Sequence, residues 1–303
     1  MNADQRQLSP SGPQLSEIVA GTMTWGEWGS DYNTATLAEL IGHCLDLDIT
    51  TFDHADIYGD YTNEAAFGKA LQQHSSSLRE QIQLVTKCGI QLITHNRESN
   101  RVKHYDSSRD HIIASAEQSL RNLHTEYIDL LLIHRPDPLM DPHEMAEAFD
   151  RLRSSGKVRH FGVSNFTPAQ FDLLADHADL VTNQVECHPL HPDPLFDGTY
   201  DQCQRRSLRP MVWSPLGGEE YFGGEGTKLL RLRDKVQEVG KKYGVAEDVV
   251  LLAWARRHPT RPLPVIGTTK KDRMTRAVTA LDIELDRQDW FEILEAGRGK
   301  EVA

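Results

Sequence analysis

The chain has 303 residues, of which 39% are hydrophobic and 26% charged, a globular composition with enough apolar side chains for a sizeable core. A formal net charge of −12 argues against a general nucleic-acid binder and against attachment to an anionic membrane surface, since both need basic patches. Cys44, Cys88, Cys187 and Cys203 are scattered and include no CxxC pair, which points to a reducing compartment, the cytoplasm, without a disulfide framework or a zinc knuckle.

In chain order, Met1 to Pro13 is polar, with neither the basic start nor the apolar core of a signal peptide. It is expected to be a flexible tail ahead of one domain spanning 14–303. From Ile18 onward, short apolar runs alternate with amphipathic stretches, and no Pro/Gly/Ser linker breaks the alternation. Strands are predicted to begin at Ile18, Thr50, Ile82, Ile128, Arg159, Val181, Pro210 and Pro264, and none of the apolar runs is long enough to cross a bilayer. Helical periodicity marks Thr34 to Leu47, Asn63 to Gln73, Arg109 to Leu123, Pro142 to Ser155, Pro168 to His177, Lys228 to Tyr243, Ala246 to Arg257, Lys270 to Ala280 and Arg287 to Ala296. Pro142 and Pro168 fall where a first helical turn tolerates the missing N–H, and Gly156 and Gly244 fall where helices end.

Roughly eight strand–helix units with buried, non-alternating strands predict a parallel sheet, and that count closes into a single-domain (β/α)8 TIM barrel. An open doubly wound sheet is the rival, but the early glycines Gly21, Gly26 and Gly29 lack the GxGxxG spacing that its first turn requires. A barrel builds its site at the carboxyl ends of its strands, and the unusual polar residues fall there. Asp53 follows the second strand, with Tyr58 just beyond it. Lys87 closes LVTK, His134 closes DLLLIH, Ser164 and Asn165 follow HFGV, Gln184 and Glu186 close VTNQVE, and Trp213 closes PMVW.

Around one barrel mouth, Lys87 would supply the cation that a buried Asp53 needs, and its ammonium group would lower the pKa of Tyr58 from near ~10 toward neutrality. Tyr58 and His134 would then converge on one carbonyl oxygen, an arrangement suited to a ketone or aldehyde accepting hydride. The hydride must come from a cofactor. Trp213 offers a flat face for a nicotinamide; Ser164, Asn165 and Gln184 offer groups for its carboxamide; and the glycine-rich SPLGGEEYFGGEG after Trp213 is able to wrap a pyrophosphate.

From GTMTWG (Gly21 to Gly26) to IGTTKKDR (Ile266 to Arg273), the chain resembles the aldo-keto reductases, most of all the bacterial YdhF-type branch, through DHADIYG, TKCGI, IHRPDPLMDP and GKVRHFGVSNFTPAQF. The resemblance implies an NADPH-dependent reductase on a TIM barrel with a catalytic tetrad of Asp53, Tyr58, Lys87 and His134. It also implies cofactor contacts from Thr22, Met23, Asp53, Ser164, Asn165, Gln184, Trp213, Ser214, Leu216, Gly217, Gly267, Thr268, Thr269, Lys270 and Arg273. Arg273 matches the family arginine on the 2′-phosphate of NADP, and Lys270 is a second cation. Trp213 stands where many members carry Tyr. Arg276 and Ala277 depart from the family's Glu and Asn on the adenine, which leaves either a looser adenine grip or a stronger phosphate grip. The chain ends soon after its last helix, without the long loop that shapes the steroid pocket of some branches.

The substrate is expected to be a small carbonyl compound, walled by Trp25, Tyr58 and His134, and the protein a monomer or weak homo-oligomer. The long loop between Lys87 and the helix at Arg109, containing His95, Arg97, Arg101, Lys103, His104 and Tyr105, is expected to overhang the mouth, either as a pocket wall favouring polar or anionic carbonyls or as a solvated basic loop. Two other readings stay open. Cys187, His188 and His191 in ECHPLHP suggest a metal site, although no spaced HxH or carboxylate set completes a shell, so no metal is expected. The resemblance also admits a non-catalytic NADP-binding regulatory subunit, as in the potassium-channel β-subunits.

Overall fold

The computed structural model describes residues 6–303. Its strands are β1 (Val19–Gly21), β2 (Thr51–Asp53), β3 (Gln83–Cys88), β4 (Ile90–Gln91), β5 (His104–Tyr105), β6 (Ile128–Ile133), β7 (Val158–Ser164), β8 (Leu180–Glu186), β9 (Met211–Trp213) and β10 (Leu263–Ile266). All except β4 and β5 form a closed barrel in the order β1-β10-β9-β8-β7-β6-β3-β2, with every neighbouring pair parallel. The (β/α)8 barrel expected from the alternation is the fold observed.

The helices are α1 (Thr34–Asp46), α2 (Tyr58–Tyr61), α3 (Asn63–Leu71), α4 (Arg109–Leu123), α5 (Pro142–Ser154), α6 (Pro168–Ala175), α7 (Thr199–Arg205), α8 (Gly218–Gly223), α9 (Thr227–Tyr243), α10 (Glu247–Arg256), α11 (Lys271–Thr279) and α12 (Arg287–Arg298). Their starts follow local chemistry. Thr167 and Gln170 make a reciprocal capping box ahead of Pro168, and the Asp141 side chain accepts from His143 and Glu144 N–H ahead of Pro142. Gly244, at φ 70°, ends α9 in the left-handed conformation. The short helices α2, α7 and α8 and the β4–β5 ribbon lie outside the predicted elements, because each is too short to develop a period. No helix among the described residues is long and apolar enough to cross a membrane.

The barrel interior is filled by Val19, Val85, Leu130, Leu132, Val181, Met211, Leu263 and Val265, together with Leu8 and Leu15 from the N-terminal segment. That placement corrects the flexible tail expected for residues 1–13. Residues 1–5 lie outside the described residues, but Gln7 bridges to Gln14 and Leu8 donates its N–H to the Pro13 carbonyl. Arg209 N–H reaches the Leu8 carbonyl from just before β9, so this hairpin closes the barrel at the amino ends of the strands, opposite the mouth. Leu8 is fully buried there, and plugging the barrel floor outweighs the polarity of its neighbours.

Candidate active site

Parallel register sets the site residues side by side. Asp53 pairs with Gly21 and Val85, Gln184 with Ser164 and Met211, and Trp213 with Glu186 and Val265, all at the carboxyl ends of their strands. Tyr58 is delivered by α2, in which Gly59, Asp60 and Tyr61 have φ of 55°, 52° and 71°. Gly59 is required there, since a Cβ would lie 2.0 Å from Asn63 Oδ1 besides facing the left-handed strain. Asn63 is buried, and its Nδ2 donates to the carbonyls of Thr22 and Met23 at 2.9 and 3.1 Å, which ties the first loop to the turn carrying Tyr58.

Lys87, only 1% exposed, spends all three ammonium donors inside the site: on Asp53 Oδ2 at 2.7 Å, the His54 carbonyl at 2.7 Å and the Tyr58 hydroxyl oxygen at 3.1 Å. Burial alone would push its pKa down, but the Asp53 and Tyr58 oxygens together outweigh that and hold it above its ordinary value, so the ammonium stays charged. The Tyr58 pKa differs from the expectation. Burial raises it more than the Lys87 charge lowers it, and the Asp53 carboxylate adds to the rise, so the net shift is upward. The phenol is held protonated rather than made acidic.

His134 lies beside Tyr58, ring centroids 6.0 Å apart and edge to face. Burial first, then the positive charges of Lys87, Arg135 and Lys103, push its pKa well below the usual histidine value, so the imidazole is neutral. His54, which sequence reasoning passed over, is buried behind the site with its pKa lowered to about 3, again by burial and then by Lys87. Its Nδ1 is 2.8 Å from Thr22 Oγ1 while Nε2 has no partner, which assigns the Nδ1–H tautomer donating to Thr22. The Thr22 hydroxyl in turn donates to the Asp53 carbonyl.

From Asp53 a line of hydrogen bonds runs across the mouth. Gln184 Nε2 donates to Asp53 Oδ1 (2.9 Å), Ser164 Oγ to the Gln184 carbonyl (2.9 Å), Asn165 Nδ2 to Ser164 Oγ (2.7 Å) and Trp213 Nε1 to Asn165 Oδ1 (3.0 Å). Asn165, a member of this network, holds a left-handed φ of 60°, and Ser214, just after β9, one of 49°. Leu216 and Gly217 follow, with Gly217 at the start of α8. Gly267, Thr268, Thr269 and Lys270 lead from β10 into α11. The first loop is fastened to them through Thr24 Oγ1 to the Gly267 carbonyl and Ser30 Oγ to Thr269 Oγ1.

The cations of α11 divide cleanly. Lys271 pairs with Glu39, and Arg276 with Asp248 and Asp272, so Arg276 is absorbed by its own neighbourhood. Lys270 and Arg273 are exposed and make no side-chain hydrogen bond or ion pair among the described residues. The Cys187, His188, His191 cluster is likewise absorbed: Cys187 is buried, His188 Nε2 lies 3.2 Å from Glu186 and His191 faces Asp193. No His, Cys, Asp or Glu grouping suited to a metal ion occurs among the described residues.

Trp25 requires a correction. It is 2% exposed and packs against Phe52 and Phe67, so it belongs to the core and cannot wall a substrate pocket. Trp28, three residues on and 40% exposed, turns its ring toward Tyr58 instead, with centroids 6.2 Å apart. Arg135, directly after His134, was also missed; its guanidinium lies 5.6 Å from the centre of the Trp213 ring. The loop between β4 and β5 docks on α2: Asn96 Nδ2 donates to the Asp60 carbonyl, and Arg97 lies 4.0 Å over Tyr61.

Outside the mouth, a polar cleft of about 370 Å³ lies between the β4–β5 loop and α4, with Asp56, Glu64, Arg97, Ser115 and Asn122 among its lining. Asp56 Oδ1 has no partner and Oδ2 accepts from Ser115 Oγ at 3.4 Å. Burial, then the nearby Glu64, push the Asp56 pKa well above 3.8. An acid whose folded pKa is raised destabilises the fold as pH climbs past its unfolded value, with the full penalty above its folded value. Asp56→Asn is therefore expected to raise the melting temperature more at about pH 8 than at about pH 4. Thermal unfolding at the two pH values checks this, and an equal shift at both would remove the assignment.

The Aldo/keto reductase family model matches residues 17–298, and the chain belongs to that family. It is 49% identical over 298 residues to the oxidoreductase YdhF of Escherichia coli, covering 97% of this chain and 98% of that one. It is 45% identical to a 6-dehydroglucose reductase of Agrobacterium fabrum, covering 96% and 97%. Among solved structures, the glycerol dehydrogenase AKR11B4 of Gluconobacter oxydans superposes with a TM-score of 0.83 at 23% identity, covering 97% of this chain and 96% of that one.

Proposed function

We propose that this protein is an NADPH-dependent, cytoplasmic reductase of aldehydes and ketones, with Tyr58 as proton donor, Lys87 and Asp53 tuning it, and His134 orienting the carbonyl. The observation that carries the reading is the unbroken hydrogen-bonded line from Trp213 through Asn165, Ser164, Gln184, Asp53 and Lys87 to the Tyr58 hydroxyl. It joins a flat aromatic face to a phenol across one mouth.

The residues fit a phosphorylated nicotinamide dinucleotide. Lys270, just ahead of α11, and Arg273 within it are cations left without acidic partners, as a 2′-phosphate requires, and the Trp213 ring is fixed in place by Asn165. When bound, the cofactor supplies the hydride. The chain's own part is to hold a carbonyl oxygen between two donors. Because Lys87 already donates to the phenol oxygen, the Tyr58 proton is free to point at the substrate, and the same ammonium group stabilises the phenolate left after transfer. Neutral His134 donates or accepts a hydrogen bond without competing as an acid. Trp28 and Tyr58 form the aromatic wall for the substrate.

The test is NADPH oxidation with a panel of aldehydes, ketones and dehydro-sugars, the last prompted by the name of the Agrobacterium relative, with NADH as control. Arg273→Ala is expected to raise KM for NADPH by about 10-fold or more while leaving KM for NADH little changed. An equal effect on both cofactors would remove the phosphate assignment. Tight NADPH binding without turnover of any carbonyl would favour the regulatory-subunit reading.

A further inference from the structure

We propose that Arg135 anchors an oxyanion on the substrate, so that the carbonyl compounds best used here carry a carboxylate or phosphate a few bonds from the reacting carbon. The proposal deepens the reductase reading and rests on it for where the carbonyl lies. Arg135 follows His134 just after β6, two strands round the barrel from β2, and its guanidinium lies 5.6 Å from the Trp213 ring centre. Its charge reaches both groups assigned to the carbonyl oxygen: it opposes the rise in the Tyr58 pKa and adds to the fall in the His134 pKa. Lys103, exposed on the β4–β5 loop, acts on His134 in the same sense and is a second cation at the rim.

Arg135 is only partly exposed and makes no side-chain hydrogen bond or ion pair among the described residues; Arg261 and Arg298 share that state, but Arg261 lies before β10 and Arg298 at the end of α12, whereas Arg135 directly follows His134 at the mouth. Several other part-buried guanidinium groups do have acidic partners. Arg79 binds Asp129, Arg256 binds Glu17, and Arg276 binds Asp248 and Asp272. With 45 acidic residues against 33 basic ones, carboxylates are not scarce. A guanidinium that gives up part of its hydration and receives no acceptor is destabilised until one arrives. With no acceptor on it among the described residues, the guanidinium fork can match a carboxylate or phosphate in two parallel hydrogen bonds.

The experiment compares wild type with Arg135→Gln and Arg135→Lys on two matched pairs: succinic semialdehyde against butanal, and glyceraldehyde 3-phosphate against glyceraldehyde. In Arg135→Gln, kcat/KM for the anionic member of at least one pair is expected to fall about 10- to 100-fold more than for its neutral partner, mainly through KM, with Arg135→Lys intermediate. Which pair responds distinguishes a carboxylate from a phosphate. Equal losses within both pairs, or none, would overturn the proposal, and a rise in KM for NADPH common to all substrates would reassign Arg135 to the cofactor. Calorimetric titration of succinate and of inorganic phosphate into the NADPH complex decides the matter independently of turnover. Binding of either ligand weakened about 10-fold or more in Arg135→Gln supports the anchor even if no carbonyl is reduced, an outcome that would sink the reductase reading instead; identical binding, or none, in wild type and variant overturns the anchor.

Discussion

Tyr58→Phe is expected to lower kcat/KM for carbonyl reduction by about 10³-fold, within the range usual for removing a positioned acid, while leaving the fold and cofactor affinity nearly intact. The hydroxyl is the only part of the side chain that the variant lacks. The ring itself keeps its edge contacts with His134 and Trp28. Lys87 keeps its bonds to Asp53 and the His54 carbonyl and loses only the third and longest, at 3.1 Å, a stability cost of about 1–3 kcal/mol at most. Single-turnover reduction in the preformed NADPH complex, beside equilibrium NADPH binding, separates chemistry from binding. A Phe variant that retained wild-type turnover would move proton donation to His134 or to solvent and leave the tyrosine a packing role.

The barrel was legible because its strands are buried on both faces and carry no polar alternation, so β6 reads IDLLLI and is buried throughout. The gathering of Asp53, Tyr58, Lys87 and His134 at the mouth was legible for a related reason: a lysine or histidine closing such a run has nowhere to go but the mouth. What escaped depends on packing that has no local period. Trp25 and Trp28 share one glycine-punctuated loop, and nothing in GTMTWGEWG says which ring turns inward. That is fixed by Asn63 holding the Thr22 and Met23 carbonyls and by the slot between Phe52 and Phe67. The Tyr58 pKa failed similarly, because the sequence names the neighbouring cation but not the water removed from around the phenol. Leu8 looked like part of a tail because the barrel floor it plugs is assembled from strands far apart in the chain. Arg135 drew no notice because IHRP reads as a histidine signal, and only the three-dimensional neighbourhood reveals that no carboxylate answers it.

Lys87→Met separates what the buried pair does for the fold from what it does for the reaction. Lys87 and Asp53 are 1% and 3% exposed at their side chains and 2.7 Å apart, so removing the cation leaves a buried carboxylate with Gln184 as its remaining side-chain partner. Breaking such a pair from one side costs about 3–5 kcal/mol, whereas replacing both members with neutral groups of similar shape is often close to neutral. Lys87→Met is therefore expected to lose about 3–5 kcal/mol in denaturant unfolding. The double variant Asp53→Asn with Lys87→Met should recover much of that, because Asn keeps an oxygen for Gln184 Nε2 and carries no charge to strand. Activity should not recover with stability: without the ammonium beside the phenol oxygen, nothing stabilises the phenolate, and turnover should stay depressed by about 10²-fold or more in both variants. If the double variant were no more stable than Lys87→Met, the destabilisation would come from lost packing of the lysine stem rather than from an uncompensated Asp53. If turnover returned together with stability, Lys87 would be a structural residue and the tuning of Tyr58 would have to come from elsewhere.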